Sequence, residues 1–265
     1  FAVPGGVNSA LNPAHRDAIL ADIDTMIAYV QEGIAVIKGW MEAHQDDLDK
    51  FAVFTSGYLG MVNEGNTLEL YNGKIRLVDA QRKQVDYFDG RQYLDYIGER
   101  VEPWTYLKFP YYKKLGWPAG TYRVGPLGRI NASEKMATPL AQHEYKQFHA
   151  LRGGKVVEGT LYYHYARLIE DLYAVERVRE LLEDPDILST DILQTGPIQN
   201  SEGVGVIEAP RGTLWHHYWV NDNGQLTKVN LIVATGNNNY AMTRSVDLVA
   251  KTYVDGKNVT EGALN

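Results

Sequence analysis

A long run of apolar residues at helical spacing constrains the fold of this chain more than any other feature. The run follows Asn12-Pro13, a pair typical of a helix N-cap with proline in the first turn. This spacing predicts one amphipathic helix that ends before the acidic segment 46–49. Because its apolar stripe must be covered, the helix requires a helical body to pack against. The stripe consists of Ile19, Ile23, Met26, Val30, Ile34, Ile37 and Met41.

Two more segments show the same helical period. One begins near Thr160, which we expect to be its N-cap, and ends at Glu183, shortly before Pro185. Its expected buried residues are Leu161, Tyr165, Leu168, Leu172, Val175 and Leu182. The other covers residues 241–254 and predicts a closing helix.

Between the helices the pattern changes to strands. Residues 67–71 and 74–78 alternate apolar and polar side chains around Asn72-Gly73, which predicts a hairpin, and residues 84–88 predict a third strand. Residues 204–208, 213–220 and 225–235 predict three later strands, with residues 221–224 as the last turn. The sequence therefore predicts an α+β fold that is mainly helical, a long helical body with small antiparallel β insertions. We expect residues 1–265 to form a single unit, because no linker marks a boundary.

Charge and hydropathy exclude two classes of partner. The chain has 26 Lys plus Arg against 33 Asp plus Glu, a formal net charge of −7, which argues against a general nucleic-acid binder. The aromatic and lysine-rich segment 104–122 could stack bases, but packing on the body or on a partner protein is the favoured interpretation. Because no run of 18 or more apolar residues occurs, we expect no membrane span.

Conventional catalytic motifs are missing from the sequence. The chain has no cysteine, so its own residues cannot supply thiolate ligands or nucleophiles. His143 and His149 lie six residues apart, and His216 and His217 are adjacent, and neither spacing suits a metal site. No Gly-Lys-Ser/Thr run and no Gly-x-Ser-x-Gly elbow is present. A self-contained metal centre is therefore not predicted.

One segment combines a charged turn with two apolar strands. In residues 203–216 a strand leads directly into Glu208-Ala-Pro-Arg-Gly212. Pro210 restricts its own φ and favours extended geometry at Ala209, while Gly212 permits a sharp exit. The predicted result is the Arg211 guanidinium on a stiff turn beside a carboxylate. From the residues alone, the favoured interpretation is an internal Glu208–Arg211 ion pair that stabilises the turn.

The same segment resembles a family motif. Residues 206–216, Val-Ile-Glu-Ala-Pro-Arg-Gly-Thr-Leu-Trp-His, resemble the Glu-Ala-Pro-Arg-Gly-x-Leu-x-His motif of [NiFe] hydrogenase large subunits. Four other segments resemble successive landmarks of that family in the same order: residues 1–7, 122–131, 163–170 and 233–237. The resemblance covers nearly the whole chain, and it is closest to the soluble, bidirectional, NAD-reducing type.

The resemblance implies reversible cleavage of H₂ into protons and electrons at a Ni–Fe(CN)₂CO centre. In the family that centre is held by two Cys-x-x-Cys pairs, which this chain lacks. We therefore expect the sequence to be the central part of a large subunit, and the isolated fragment to be inactive and without a cofactor. The implied partners are an Fe–S small subunit and NAD(P)-linked diaphorase subunits, with H₂ as substrate, and the implied location is the cytoplasm.

The resemblance also assigns roles to individual residues. Arg211 matches the arginine whose guanidinium lies over the open Ni–Fe position, where electrostatic positioning is its expected role. Pro210 would line the same pocket, and Ala234 and Thr235 match the turn that binds a cyanide ligand, for which a hydroxyl donor is suitable. Glu208 and His216 match motif positions expected to pack or hydrogen-bond around the turn.

Two alternatives remain open at this point. The first is a nickel-free relative, such as the quinone-site subunit of complex I, which would also lack the cysteine pairs. However, that branch does not usually have the histidine at the position of His216 or the turn at residues 233–237. The second is a non-catalytic protein-interaction module that uses the aromatic segment 104–122.

Overall fold

The computed structural model describes residues 2–254 and residue 256. Its helices are α1 (Pro13–Ala43), α2 (Gln45–Lys50), α3 (Tyr93–Tyr96), α4 (Pro126–Ala132), α5 (Pro139–Ala150), α6 (Tyr163–Glu183) and α7 (Asn239–Tyr253). Its strands are β1 (Ala2–Val3), β2 (Gly6–Val7), β3 (Gly57–Val62), β4 (Lys74–Val78), β5 (Gln84–Phe88), β6 (Ile97–Val101), β7 (Lys108–Tyr112), β8 (Tyr122–Arg123), β9 (Glu202–Ala209), β10 (Gly212–Val220) and β11 (Leu226–Ile232). The predicted α+β class with a long helical body is confirmed. Phe1, the first residue of the first landmark, lies outside the described residues.

The long first helix forms where the apolar period predicts it. The Asn12 side chain accepts a hydrogen bond from the backbone N of Ala14 at 2.8 Å, and Pro13 occupies the first turn. This N-cap satisfies a backbone donor that has no partner inside the helix. The buried stripe of α1 packs against α6 in a helical core that also contains buried residues of α5. The stripe comprises Ile23, Ile27, Ile34 and Met41. Of the predicted stripe, Ile19 and Met26 are exposed instead.

The second long helix has a different start from the predicted one. Residues Thr160–Tyr162 form a 3-10 turn, and α6 begins at Tyr163 without a side-chain cap. The Thr160 hydroxyl instead donates to the carbonyl of Ala52 at 2.7 Å. The prediction of Thr160 as the N-cap of α6 is therefore wrong, because a tertiary partner takes its hydroxyl. The end at Glu183 is as predicted.

The hairpin predicted around Asn72-Gly73 is also wrong. β4 pairs antiparallel with β3 and β5, and a four-stranded sheet results with the order β5-β4-β3-β8. Residues 67–71 form only isolated bridges, one of them between Val62 and Leu68. β3 is buried almost throughout, and such a strand shows no alternation in sequence. β3 thus takes the place beside β4 that the sequence pattern assigns to residues 67–71.

The last third of the chain contains the predicted sheet and helix. β9, β10 and β11 form an antiparallel sheet with β10 in the centre. β11 ends at Ile232, earlier than predicted, and residues Ala234–Asn238 form a 3-10 turn before α7. The fully buried Trp215 lies in a second core formed by the sheets, where its Nε1 donates to the carbonyl of Gly90 at 2.9 Å.

The aromatic segment packs on the body only in part. β7 pairs with β6, and Phe109 is buried beside Trp117 and Tyr240. Trp104 and Tyr106, in contrast, are 64% and 96% exposed. Within residues 2–254 and 256, the helices are either too short or too polar to cross a bilayer.

Buried His149 on α5 predicts a pH-dependent stability. Its Nε2 donates to the carbonyl of Ile130 at 3.2 Å, and burial, with a smaller effect of Arg82, lowers the pKa of His149 to about 4. The unfolded chain therefore binds more protons between pH 6.5 and 4, so stability decreases as pH falls through this range, by roughly 3 kcal/mol. We expect His149→Gln to reduce this decrease in urea denaturation across pH 4.5–7. The exposed His143→Gln on the same helix is the control, and identical pH profiles for both variants would contradict the assignment.

Candidate functional site

The charged segment forms the tight turn between β9 and β10. Ala209 pairs with Gly212, so that Pro210 and Arg211 are the two loop residues. Gly212 has a φ of +139°, and a Cβ at this position would lie 2.2 Å from Cγ2 of Val124. A side chain at residue 212 is thus excluded both by the backbone and by its neighbour. The turn lies directly against the chain that enters α4.

Glu208 is buried under this turn and has three donors. Its Oε1 accepts from the Thr213 hydroxyl at 2.6 Å and from the backbone N of Met61 at 3.0 Å, and its Oε2 accepts from Arg129 Nη1 at 2.9 Å. The expected Glu208–Arg211 ion pair is therefore wrong. Glu208 and Arg211 are close in sequence, but the carboxylate faces the core and pairs with a helix residue there. Burial raises the pKa of Glu208, against the lowering effects of Arg129 and Thr213.

Arg129 on α4 uses all five of its N–H donors. Nε and Nη2 donate to the two carboxylate oxygens of Glu170 on α6, both at 2.6 Å. Nη1 donates to Glu208 and to the carbonyl of Ala209 at 2.8 Å, and Nη2 also donates to the carbonyl of Pro210 at 3.1 Å. Burial alone lowers the pKa of Arg129, but Glu170 and Glu208 together raise it above its ordinary value. A fully satisfied buried cation thus lies beneath the turn.

Arg211 itself projects from the turn toward solvent. The residue is exposed, and none of the residues that the structure describes forms a hydrogen bond or ion pair with its guanidinium. Its backbone is closely packed, however: a Cβ on Gly125, which has a φ of +83°, would lie 2.9 Å from the Arg211 carbonyl oxygen. The chain therefore fixes the base of this side chain and leaves its charged end available.

The 3-10 turn that carries Ala234 and Thr235 is hydrogen-bonded to β10, directly after the Arg211 turn, and to the chain before α4. Asn237 donates to the carbonyl of Thr213 at 2.9 Å and accepts from the Tyr122 hydroxyl at 2.7 Å. Asn238 accepts from the backbone N of Val124 at 2.9 Å. Ala234 is buried and Thr235 is half-buried. These bonds join residues 122–125, 208–213 and 234–238 into one site.

His216 does not belong to this group of contacts. It lies on β10 opposite Gly205, and its Nδ1 is hydrogen-bonded to the Tyr218 hydroxyl at 2.7 Å. This bond supports the strand rather than the turn. The neighbouring His217 faces the other side of the sheet, where it contacts Tyr93 and Glu202, as strand alternation requires.

The site presents a cation but no ligand set for a metal. The chain contains no cysteine, and residues 2–254 and 256 contain no group of three or more His, Asp or Glu side chains arranged to hold a metal ion. The residues present therefore do not fit the role of ligands to a nickel–iron centre. What they can do is direct one guanidinium, with its five donors, at a polarisable or anionic group on the open side of the turn.

Arg129 and Glu170 are functional candidates to which the sequence assigned no role. Both occur in segments that resemble family landmarks, each next to buried apolar residues on a helix. A charged side chain among buried neighbours was the available signal, because such a group needs a partner. The identity of that partner required the tertiary structure.

Comparison with known proteins agrees with these landmarks. A family model described as Nickel-dependent hydrogenase matches residues 10–244. The chain is 42% identical, over its whole length, to the NAD-reducing hydrogenase HoxS subunit beta of Cupriavidus necator, of which it covers 56%.

Solved structures give the same result. A crystal structure of an NAD⁺-reducing [NiFe]-hydrogenase in the H₂-reduced state matches 99% of this chain with a TM-score of 0.93 and 37% identity, and 58% of the matched chain is covered. The [NiFeSe]-hydrogenase of Dm. baculatum matches 89% of this chain and 53% of its own chain, with a TM-score of 0.69 and 19% identity, and so shows likeness of fold alone. The chain thus spans somewhat more than half the length of these relatives.

Proposed function

This chain belongs to the nickel-dependent hydrogenase family, and on that premise we propose that it forms the central part of the catalytic large subunit of a [NiFe] hydrogenase. The proposed activity of the whole subunit is the reversible oxidation of H₂ to protons and electrons. The observation that carries the proposal is the Arg211 turn: an exposed, unpaired guanidinium on a backbone fixed from three segments. The donors of this guanidinium face solvent, so they remain available to a group bound over the turn.

We propose that this stretch covers the metal site rather than binding the metals. When bound, the nickel–iron centre would supply the redox chemistry, and thiolate ligands for it must come from residues other than these. Arg211 would direct its charge at that centre, with Pro210 beside it. Ala234 and Thr235 would offer a backbone turn and a hydroxyl donor to a diatomic ligand. Glu208 would act on the core side of the turn, which it fixes through its hydrogen bonds with Thr213 and Arg129.

The proposed partners follow from the named relatives. The HoxS subunit and the crystallised homologue are both called NAD-reducing or NAD⁺-reducing. We therefore propose that electrons pass through an Fe–S small subunit to NAD(P)-linked diaphorase subunits in the cytoplasm. The exposed aromatic loop with Trp104 and Tyr106 would be available to such a partner protein.

Nickel content tests the proposal directly. Elemental analysis of the native full-length protein, purified with its partner subunits, is expected to give about one nickel per large subunit. Residues 1–265 expressed alone are expected to contain none and to show no H₂-dependent dye reduction. A native complex that contains intact Fe–S clusters and no nickel would contradict the proposal and favour the quinone-site type of relative.

A further inference from the structure

The backbone of the Arg211 turn is bonded to a buried side chain from a distant helix. Arg129 donates to the carbonyl oxygens of Ala209 and Pro210, the two residues that precede Arg211. The Pro210 carbonyl belongs to the peptide unit that includes the Arg211 nitrogen. Because this unit is planar and includes Cα of Arg211, a bond to its oxygen restricts the orientation of the whole unit. It thereby restricts the direction in which the Arg211 side chain projects from the turn.

We propose that Arg129 is a positioning residue for Arg211: it sets the orientation of the Pro210–Arg211 peptide and so the direction of the exposed guanidinium. The proposal rests on the proposed function, which gives Arg211 its role in H₂ turnover. The Arg129 side chain is 2% exposed. Because it is buried beneath the turn, it acts on Arg211 only through the backbone of the turn.

The position of Arg129 is fixed on every side. Its Cα lies so close to β3 that a Cβ on Gly60 would approach it to 2.8 Å, and all residues of α4 are buried. Glu170 holds Nε and Nη2 in a two-bond fork, and Glu208 accepts from Nη1. The two carboxylates leave one hydrogen on each Nη, and those hydrogens reach the carbonyls of the turn.

Only a guanidinium can make this set of bonds. Lysine has three donors on one atom, whereas Arg129 makes five bonds from three nitrogens in one plane. We expect a lysine at residue 129 to remain with the carboxylates, because bonds between charged groups are the stronger ones. The carbonyls of Ala209 and Pro210 would then lose the hydrogen bonds from residue 129, and the turn would become mobile while the buried charge remains compensated.

The test compares Arg129→Lys with Arg76→Lys in the full-length subunit with its partners. Arg76 is a matched control: it is also buried, pairs with Glu134 and donates to the carbonyl of Ala132, but it has no bond to the turn. We expect about tenfold faster amide hydrogen exchange in residues 206–214 for Arg129→Lys only. In the same variant kcat for H₂ is expected to fall at least about tenfold, with nickel content and the KM for H₂ unchanged.

A second variant covers the case in which Arg129→Lys does not fold. Glu170→Gln keeps an acceptor for Arg129 but removes one charge, so we expect a smaller rise in exchange over residues 206–214 than in Arg129→Lys, and still a larger one than in Arg76→Lys. Unchanged exchange in the folded Arg129 or Glu170 variant would overturn the proposal. Because exchange is measured on the polypeptide, faster exchange in a complex that lacks nickel would support the positioning role even if the proposed function were wrong.

Discussion

Arg211→Lys in the full-length enzyme is expected to lower H₂-dependent dye reduction by about 100-fold, the loss typical of removing a preorganised donor from a reacting centre. Lysine keeps the positive charge but replaces a planar group of five donors by a single flexible ammonium. In this chain the base of Arg211 is held by Gly125, Gly212 and Arg129. The shorter reach and different geometry of lysine therefore cannot be compensated by movement of the turn.

Folding and nickel content should not change in this variant. Arg211 is exposed and its guanidinium has no partner among the described residues, so its replacement removes no contact of the fold. Arg177→Lys on the surface of α6 is a suitable control, because Arg177 is exposed and pairs with Glu180, one turn away on the same helix. Near-normal dye reduction by Arg211→Lys, with the nickel content of the unmodified enzyme, would show that Arg211 is not required.

The elements that sequence could predict are those with a clear period. α1, α6 and α7 are amphipathic, and the spacing of their apolar residues gave their extents to within a few residues. β3 was missed because it is buried on both faces and shows no alternation. The turn signal at Asn72-Gly73 therefore predicts residues 67–71 as the partner of β4, whereas in the structure that partner is β3.

At the site, features that depend on neighbouring residues can be predicted from the sequence, whereas contacts between distant residues cannot. The stiff turn with Arg211 could be recognised from Pro210 and Gly212, because both act through their own backbone. The partner of Glu208 could not, since Arg129 lies 79 residues away in the sequence whereas Arg211 is three residues away. Local sequence favours the near cation, but the Glu208 side chain on β9 is buried in the core, whereas Arg211 lies in the turn and is exposed to solvent. Because the Glu208 carboxylate is buried, its charge must be compensated by a partner that is buried as well.

Gly212→Ala is expected to destabilise the protein by about 3 kcal/mol and to displace the turn. A φ of +139° is strained for any residue with a Cβ, which contributes on the order of 1–3 kcal/mol. The new methyl group would also lie 2.2 Å from Cγ2 and 2.8 Å from Cβ of Val124. Because Val124 is β-branched and fully buried, it cannot rotate away, and overpacking adds a similar cost.

Gly205→Ala on the same hairpin separates this effect from a general intolerance of alanine. Its Cβ would meet no atom within 4 Å, and its φ is outside the left-handed region, so its stability should change by less than about 0.5 kcal/mol. Urea denaturation of the two variants, followed by tryptophan fluorescence, measures the difference, and Trp215 on β10 lies close enough to report on the hairpin. In the full-length enzyme, Gly212→Ala should also lose H₂ oxidation at temperatures where it is still folded, because Arg211 precedes the strained residue directly. Equal stability of the two variants would mean that the turn is not held against Val124, and that Arg211 is free to reorient.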